Sequence, residues 1–296
     1  MKVRKQLIVV FLLPAMTLYI VFFLYPAVRA FYYSFFAWSG FTDNARYIGL
    51  ENYRELLRDD LFIGSLKNTL TILILGGVIV FGLAFALTVL LNSGIKGKKL
   101  LRAIIFLPNV VAVIALTTMW SVAIYHPKLG ILTNGLATLG LEKWSHYPWL
   151  SSEHIFSSML IAVIWVNVGF YVVLLMAGID KIPFEYYEAA KLDGATPLQM
   201  FYRITVPLLW DVLTIGIVLW SINALKIFEF PFAFTALEPS PKTYTVGVYL
   251  YVMGFGNRTP IYRLGYATAM GVVLLLTVML VVVTLRRVMR REVIQY

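Results

Sequence analysis

The residues of this chain whose side chains could take part in catalysis or bind a metal do not form a catalytic set. None of the 296 residues is cysteine, which excludes disulfides and thiolate metal sites. His126, His146 and His154 fall in one predicted loop without metal-ligand spacing. No Gly-x-x-x-x-Gly-Lys-[Ser/Thr] run is present, so the chain lacks a P-loop for nucleotide phosphates. The sequence therefore argues against an enzyme, and no cofactor or metal is predicted for the chain itself.

Charged residues that could contact another protein are concentrated in EYYEAAKLDGATPLQMFYRITVPLL, residues 185–209. Ala189 and Ala190 carry almost no side chain, so a second surface can come close to them. Glu188 and Asp193 lie at the rim of this small-residue spot, where they can make charge-assisted contacts. The chemistry predicted here is protein recognition.

The same stretch contains residues that begin and end helices. Pro183 suits the first turn of a helix over about 183–193, and Gly194 suits its exit, where φ is positive. A second helix follows, because Thr196 and Gln199 have the spacing of a reciprocal capping box. A plain solvated connector is the alternative, but it would not need such double capping.

The rest of the chain indicates a membrane protein. Hydrophobic residues make up 60% and charged residues 14%, and the mean hydropathy is +0.81, outside the range of ordinary soluble domains. Six apolar stretches reach the roughly 20 residues that a helix needs to cross a bilayer. They are predicted at about 7–28, 68–91, 103–125, 155–178, 205–227 and 265–285. The predicted fold is an all-α membrane protein with six transmembrane helices, one domain over 1–296. The 179–204 loop lies within it, and Pro207 marks the entry into the fifth span.

The net charge of +10 is explained by orientation in the membrane. The basic clusters are Lys2, Arg4 and Lys5; Lys96, Lys98, Lys99 and Arg102; and Arg286, Arg287, Arg290 and Arg291. All fall on one side of a six-span topology, as the positive-inside rule requires. Both termini and the 179–204 loop are therefore predicted to be cytoplasmic, and nucleic acid is not a predicted partner.

The first apolar stretch is too long for a signal peptide and lacks a small-x-small cleavage site, so it is predicted to stay as an anchor.

Two asparagines lie inside predicted spans. Asn167 is near the middle of the fourth span and Asn223 is in the outer half of the fifth, where an unpaired amide is costly in lipid. They are expected to face a cavity or to hydrogen-bond another helix, and both interpretations stay open at this point. Lys226 and Glu229 lie at the predicted outer end of the fifth span, where either can snorkel to the interface. They are not assigned to substrate.

The spacing of the 179–204 loop resembles a known family, the permease subunits of binding-protein-dependent ABC importers, in their EAA loop. The matching residues are Glu188, Ala189, Ala190, Gly194, Ile204 and Pro207, with Val206 where the pattern usually has Leu. The chain is similar to the carbohydrate-uptake branch, related to the maltose and glycerol-3-phosphate permeases, in WVNVGFYVVLLMAGIDKIP, FFLYPAVRAFYYSFF, YIGLENYRELL and GILTNGL. It departs from that branch after the fifth span, where FEFPFAFTALEPSPKT keeps Phe228, Glu229 and Thr235 but has no Gly-Gly pair. The resemblance covers nearly the whole chain and leaves the identity of the sugar open.

The resemblance implies the type I ABC importer permease fold, with the 179–204 loop as a coupling helix in a cleft of a cytoplasmic ATPase. The coupling residues it implies are Glu188, Ala189, Ala190, Asp193, Gly194, Ile204 and Pro207. The substrate-pathway residues it implies are Val163, Asn167, Phe170, Trp220, Asn223, Ala224 and Ile227. The implied partners are a second homologous permease, two ABC ATPase subunits that hold ATP and Mg²⁺, an external substrate-binding protein and a carbohydrate. The implied location is the lipid of a bacterial or archaeal inner membrane, which the chain crosses several times.

Three other functions are weighed against a sugar permease. An ABC permease for a sugar-like solute such as glycerol-3-phosphate would share every feature above. A secondary transporter would carry intramembrane carboxylates or broken helices at a midplane ion site, and the predicted spans contain Asp211 near a cytoplasmic end and little else. An intramembrane enzyme would need a metal or nucleophile constellation that the sequence lacks.

Overall fold

A computed structural model describes residues 5–41, 44–92, 95–257 and 259–290. Lys2, Arg4 and Arg291 of the basic clusters lie outside these residues. The α-helices are Lys5–Tyr19, Tyr25–Tyr33, Glu51–Leu56, Asp60–Thr71, Gly77–Asn92, Lys98–Phe106, Val113–Thr118, Ile131–Thr138, Glu142–Ser145, Ile155–Ile179, Glu185–Leu192, Pro197–Met200, Val206–Leu208, Trp210–Leu225, Glu229–Phe234, Val246–Phe255 and Leu264–Val288. The π-helical turns are Ile20–Leu24, Ile72–Gly76, Met119–Ile124 and Phe201–Thr205, and the 3-10 turns are Leu107–Val110 and Pro241–Thr243. The described chain also contains an antiparallel pair of short strands, Phe36–Ala37 with Arg46–Tyr47.

Helices long and apolar enough to cross a membrane correspond to the six predicted stretches. Four are continuous: Phe11–Tyr33, Asp60–Asn92, Ile155–Ile179 and Leu264–Val288. Two more pass the same test as bent pairs, Lys98–Val110 with Val113–Ile124 at 101° and Pro197–Leu208 with Trp210–Leu225 at 68°. The all-α membrane fold is confirmed, with six spans when each bent pair counts as one. The prediction of a continuous helix was wrong for the third stretch, 103–125, and for the fifth, 205–227.

Both breaks have a backbone cause. In the third span, Val111 and Ala112 are extended, with ψ of 140° and 137°, so the helical hydrogen-bond ladder stops there. In the fifth span, Pro207 has no N–H to donate, and Leu209 follows with ψ of 0°. Each break therefore divides an apolar stretch into two helices that point in different directions.

The described residues form two compact units. The first contains the described residues of Met1–Ile63 together with Tyr249–Leu276. Within it, the Asp59 carboxylate accepts hydrogen bonds from the hydroxyls of Tyr249, at 2.6 Å, and Tyr266, at 2.5 Å, and from two backbone N–H groups. Burial raises the pKa of Asp59, but these hydrogen bonds outweigh burial and hold that pKa below its usual value.

The second unit contains the described residues of Gly64–Val248 and Thr277–Tyr296. The middle of its core is built from fully buried side chains of the second and fourth spans: Ile72, Val80, Met159, Val172 and Leu175. The indole N–H of Trp210, at the break in the fifth span, donates to the carbonyl oxygen of Met289 at 2.7 Å. That bond holds the end of the sixth span against the break.

Candidate functional site

The first helix of the 179–204 loop is Glu185–Leu192. It begins two residues later than predicted, because the first i→i−4 hydrogen bond runs from Glu188 N–H to the Phe184 carbonyl. The Pro183 carbonyl instead closes a turn with the Tyr186 N–H at 3.3 Å. The expectation that Pro183 lies in the first turn was therefore wrong, and this proline precedes the helix.

The exit of this helix has the predicted geometry. Gly194 has φ of +76°, and its N–H donates to the Lys191 carbonyl while the Ala195 N–H donates to the Ala190 carbonyl. These two bonds form a Schellman motif. A Cβ atom added at Gly194 would meet no atom within 4 Å. Glycine is therefore favoured at position 194 by the positive φ angle of the backbone and not by a lack of space for a side chain.

The second helix, Pro197–Met200, starts with the predicted reciprocal capping box. The Thr196 N–H donates to Gln199 Oε1 at 2.8 Å, and the Gln199 N–H donates to Thr196 Oγ1 at 3.3 Å. Both helices of the loop are therefore fixed by local hydrogen bonds before any tertiary contact is considered.

Tertiary contacts then attach the loop to the spans on either side. The Tyr187 hydroxyl lies 3.0 Å from Thr205 Oγ1 in a hydrogen bond. Tyr187 and Ile204 also pack on a buried cluster of Ile179, Ile182 and Leu209. Movement of the loop would thus act directly on the end of the fourth span and on the break in the fifth.

The predicted coupling residues separate into an exposed and a packed group. Glu188, Ala189, Asp193 and Gly194 are exposed and Ala190 is half-buried, whereas Ile204 and Pro207 are half-buried at the base. Apolar side chains accompany the exposed group, with Leu192 at 90% exposure, Leu198 at 65% and Phe184 at 61%. Neither the Glu188 nor the Asp193 carboxylate forms an ion pair within the described residues. Apolar surface next to unpaired charge is suited to contact with another protein.

The predicted substrate-pathway residues meet at one cleft of about 450 Å³, called here the Asn167 cleft. Six of the seven line it: Val163, Asn167, Trp220, Asn223, Ala224 and Ile227. The other lining residues are Val113, Val166, Lys226, Phe228, Glu229 and Phe230. The fourth span, the end of the fifth span and the half of the third span after its break therefore contribute to one space.

Phe170 is the predicted pathway residue that does not line the cleft. It lies one helical turn beyond Asn167, past the end of the cleft, and is 38% exposed. Its ring packs edge to face on Tyr171, with centroids 5.1 Å apart. The resemblance implied Phe170 together with Val163 and Asn167, but it did not give the length of the cleft along the fourth span.

The two asparagines do not connect helices. Asn167 Nδ2 donates to the Val163 carbonyl of its own helix at 2.8 Å, and Asn223 makes no hydrogen bond within the described residues. The oxygen of the Asn167 amide and the whole Asn223 amide are therefore available in the cleft. This geometry favours the cavity interpretation over the interhelical one.

Trp220 forms a fixed wall of the cleft. Its indole N–H donates to the Leu73 carbonyl at 2.8 Å, within the π-helical turn Ile72–Gly76. The backbone of Gly77 comes so close that an added Cβ would lie 2.6 Å from Trp220 Nε1. Trp220 is 3% exposed, so the hydrogen bond to Leu73 and the contact with Gly77 position its ring at the cleft.

Sequence reasoning missed half of the lining. Val166 could have been found, because it is three residues after Val163 on the same helical face. Lys226 and Glu229 had been expected to point to the interface, and the structure places both on the cleft. Among the described residues, neither has an ion-pair partner. Val113 is brought to the cleft by the break in the third span, which no sequence pattern had indicated.

A resident metal ion has no obvious place in the described residues, where no group of three His, Asp or Glu side chains could hold one. The lining of the Asn167 cleft itself offers hydrogen bonding by amides, contact with aromatic rings, and charge at Lys226 and Glu229.

Comparisons with known proteins cover almost the whole chain. Residues 78–295 match a family model described as "Binding-protein-dependent transport system inner membrane component". The chain is 30% identical to the diacetylchitobiose uptake system permease protein NgcF of Streptomyces coelicolor, over 92% of this chain and 78% of that protein. It is 27% identical to the sn-glycerol-3-phosphate transport system permease protein UgpA of Yersinia pestis, over 95% and 93%. It is also similar to a chain in the crystal structure of a bacterial ABC transporter involved in the import of the acidic polysaccharide alginate, with a TM-score of 0.81, 25% identity and coverage of 98% and 96%.

Proposed function

Because the chain belongs to the family of binding-protein-dependent transport system inner membrane components, we propose that it is the permease subunit of an ATP-driven ABC importer that translocates a sugar or oligosaccharide. The family consists of transporters and not of enzymes. The observation that carries the proposal within the chain is the 179–204 loop, a helix capped at its exit and fastened at its base to the fourth and fifth spans.

Coupling would run through this loop. The exposed face with Glu188, Ala189 and Asp193 docks on a cytoplasmic ATPase subunit, and closure of two such subunits on ATP and Mg²⁺ pushes the loop. The push reaches the break at Leu209 through Ile204 and the buried cluster. The fifth span then turns about that break, and the wall of the Asn167 cleft that carries Trp220 and Asn223 turns with it.

The substrate would pass at the Asn167 cleft. Its amides can donate to and accept from hydroxyl groups, and its aromatic lining suits the apolar C–H face of a sugar ring. A permease needs a second homologous subunit to close such a pathway, and an external binding protein to deliver the sugar. The name of the alginate transporter and that of the diacetylchitobiose permease both point to saccharide substrates.

A phosphorylated sugar-like solute such as glycerol-3-phosphate is the second candidate. Lys226 favours it, because this cation lines the cleft without an ion-pair partner in the described part of the chain, and the similarity to UgpA supports it. A secondary transporter is disfavoured. The third and fifth spans are broken, as in that class, but Asp211 in the fifth span is exposed and the family is one of binding-protein-dependent systems.

We propose, from the positive-inside rule applied to the basic clusters, that the 179–204 loop and both termini are cytoplasmic. Single substitutions Lys98→Cys and Leu139→Cys test it with a membrane-impermeant thiol reagent, since the natural chain has no cysteine. Position 98 should react only from the cytoplasmic side and position 139 only from outside; the opposite pattern would refute the orientation.

The function itself is tested by purifying the tagged chain from its own cells and identifying the bound subunits by mass. ATPase subunits and a second permease should co-purify, and the reconstituted complex should take up a saccharide only with ATP and the binding protein. Uptake driven by an ion gradient without ATP would contradict the proposal.

A further inference from the structure

A second cleft in the same unit has a different character from the Asn167 cleft. It encloses about 560 Å³ and no charged residue lines it. One wall is the row Ile79, Leu83 and Leu87 of the helix Gly77–Asn92, and the opposite wall includes Ile161 of the fourth span. Leu83 and Ile161 are each 45% exposed. The cleft is therefore an open, apolar groove on the surface of the bundle, lined mainly by aliphatic side chains together with Trp120 and Trp165.

The helix Lys98–Phe106 forms the third wall and is pinned to the fourth span. A Cβ at Gly169 would lie 2.1 Å from the carbonyl oxygen of Ile105, and Asn109 Nδ2 donates to the Val166 carbonyl at 3.0 Å. The two contacts run in opposite directions along the two helices, so the helices are antiparallel. Residues before Ile105 consequently lie toward the Ile179 end of the fourth span.

Basic side chains lie at that end of the groove. Lys98 and Arg102 precede Ile105 by seven and three residues, which places them on the helical face that lines the groove. Lys98 Nζ donates to Asn92 Oδ1 at 3.0 Å, and Asn92 is the last residue of the helix that carries Ile79, Leu83 and Leu87. Two more cations, Lys96 and Lys99, lie close to Lys98 in the chain. Within the stretches that the structure describes, none of the four cations has an acidic partner.

We propose that this groove binds an anionic membrane phospholipid, with an acyl chain along Ile79, Leu83 and Leu87 and the phosphate at Lys98 and Arg102. The aliphatic walls match a hydrocarbon chain, and unpaired cations at one end match an anionic headgroup. A peptide is a poorer occupant, because beyond the indole N–H groups of Trp120 and Trp165 the described lining offers no side-chain donor or acceptor for its backbone N–H and C=O groups. Given the orientation proposed above, the lipid comes from the cytoplasmic leaflet.

The site has a structural consequence for the third span. The lipid would contact the half before the 101° break at Ile104, Ile105 and Pro108 and the half after it at Trp120. The second half also carries Val113 to the Asn167 cleft. An occupied groove would therefore contact both halves of the broken span.

Native mass spectrometry of the purified full-length chain, with any subunits that co-purify, tests the site by titration with phosphatidylglycerol and phosphatidylcholine. The double variant Lys98→Gln/Arg102→Gln should lose about thirtyfold in preference for phosphatidylglycerol, or about 2 kcal/mol at 1.4 kcal/mol per factor of ten. The control pair Lys128→Gln/Lys143→Gln, at two exposed positions, should keep the preference. An unchanged preference in the first pair, or an equal loss in the control pair, would overturn the proposal.

The groove is tested separately by filling it. Leu83→Trp, or Ile161→Trp from the opposite wall if the first variant does not accumulate, should release phosphatidylglycerol although all four cations remain. Full retention of the lipid by a well-folded variant would show that the groove is not the acyl site.

Glycerol phosphate at millimolar concentration should not displace the lipid, and displacement would show a site for soluble anions instead. These measurements do not depend on transport, so they can fail while the permease function stands.

Discussion

The 179–204 loop and the Asn167 cleft are built by opposite means. In the loop, the decisive bonds join residues three to five apart: the capping box at Thr196 and the turn at Gly194. In the cleft, the decisive contact joins Trp220 to Leu73, which are 147 residues apart. The loop also exposes its charges, whereas the cleft leaves amides and a cation unpaired in a space between helices. The proposed coupling loop is thus defined by local bonds, and the proposed solute cleft depends on contacts between distant parts of the chain.

The difference between the 179–204 loop and the Asn167 cleft predicts different transport defects when each is altered. A defect in the loop should leave ATP hydrolysis running without uptake, or stop both, irrespective of the solute. A defect in the cleft should lower uptake by an amount that depends on which interaction with the solute is removed. The variants below are ordered by the expected size of the effect.

Gly194→Val should abolish uptake while the chain remains inserted. A β-branched residue at φ of +76° costs the turn about 1–2 kcal/mol, and the two helices of the loop lose their angle. The measurements are uptake and ATPase activity in proteoliposomes. Gly194→Asn is the matched control, because Asn tolerates positive φ and there is space for its side chain; it should transport. Normal uptake by the Val variant would remove the loop from the coupling path.

Gly77→Val should have the next largest effect, because the new side chain would collide with Trp220 Nε1. Overpacking of this kind costs about 1–3 kcal/mol, and displacement of the ring should lower uptake and the melting temperature together. Gly82→Val, on the next turns of the same helix, is the control, since a Cβ there meets nothing within 4 Å. Equal behaviour of the two variants would show that Trp220 is not held as described.

Asn167→Leu and Asn223→Leu should each lower uptake by about tenfold or less, the equivalent of one hydrogen bond of about 0.5–1.5 kcal/mol. The pair should lower it further. The complex should stay intact in detergent, because neither amide hydrogen-bonds another helix in the described structure. Gel filtration beside uptake separates the two roles: a dissociated complex would restore the interhelical interpretation, and full uptake would remove both residues from the pathway.

Tyr187→Phe should have the smallest effect. It removes the hydrogen bond to Thr205 but keeps the ring in the buried cluster, so uptake should fall by no more than about threefold, for a loss near 0.5 kcal/mol. Tyr187→Ala removes the ring as well and should approach the defect of Gly194→Val. If Phe and Ala were equally harmful, the hydroxyl and not the packing would transmit the force.

The contrast also explains which features the sequence could predict. Thr196, Gln199 and Gly194 act through neighbours in the chain, so their roles follow from local rules. Asn167 and Asn223 were noticed because amides are costly inside apolar spans, and the family resemblance added Val163 and Trp220.

The remaining features depended on where helices stop and on what lies opposite them. Val113 reaches the cleft only because the third span breaks at Val111 and Ala112. Phe170 misses it because the cleft ends one turn earlier. Lys226 and Glu229 line it because the helix Trp210–Leu225 ends at Lys226 and a new helix begins at Glu229. No local pattern specifies these three outcomes.

The bond from Trp210 to the Met289 carbonyl has a practical meaning for experiments on this chain. Met289 follows the last residue of the helix Leu264–Val288, so shortening the chain to position 288 or earlier would delete the acceptor at the bend of the fifth span. An affinity tag or fluorescent reporter placed directly after such a truncation would be studied in a chain that lacks the Trp210 hydrogen bond at this bend. A tag placed well beyond Met289 keeps this acceptor in place, and is the better choice for measuring transport rates.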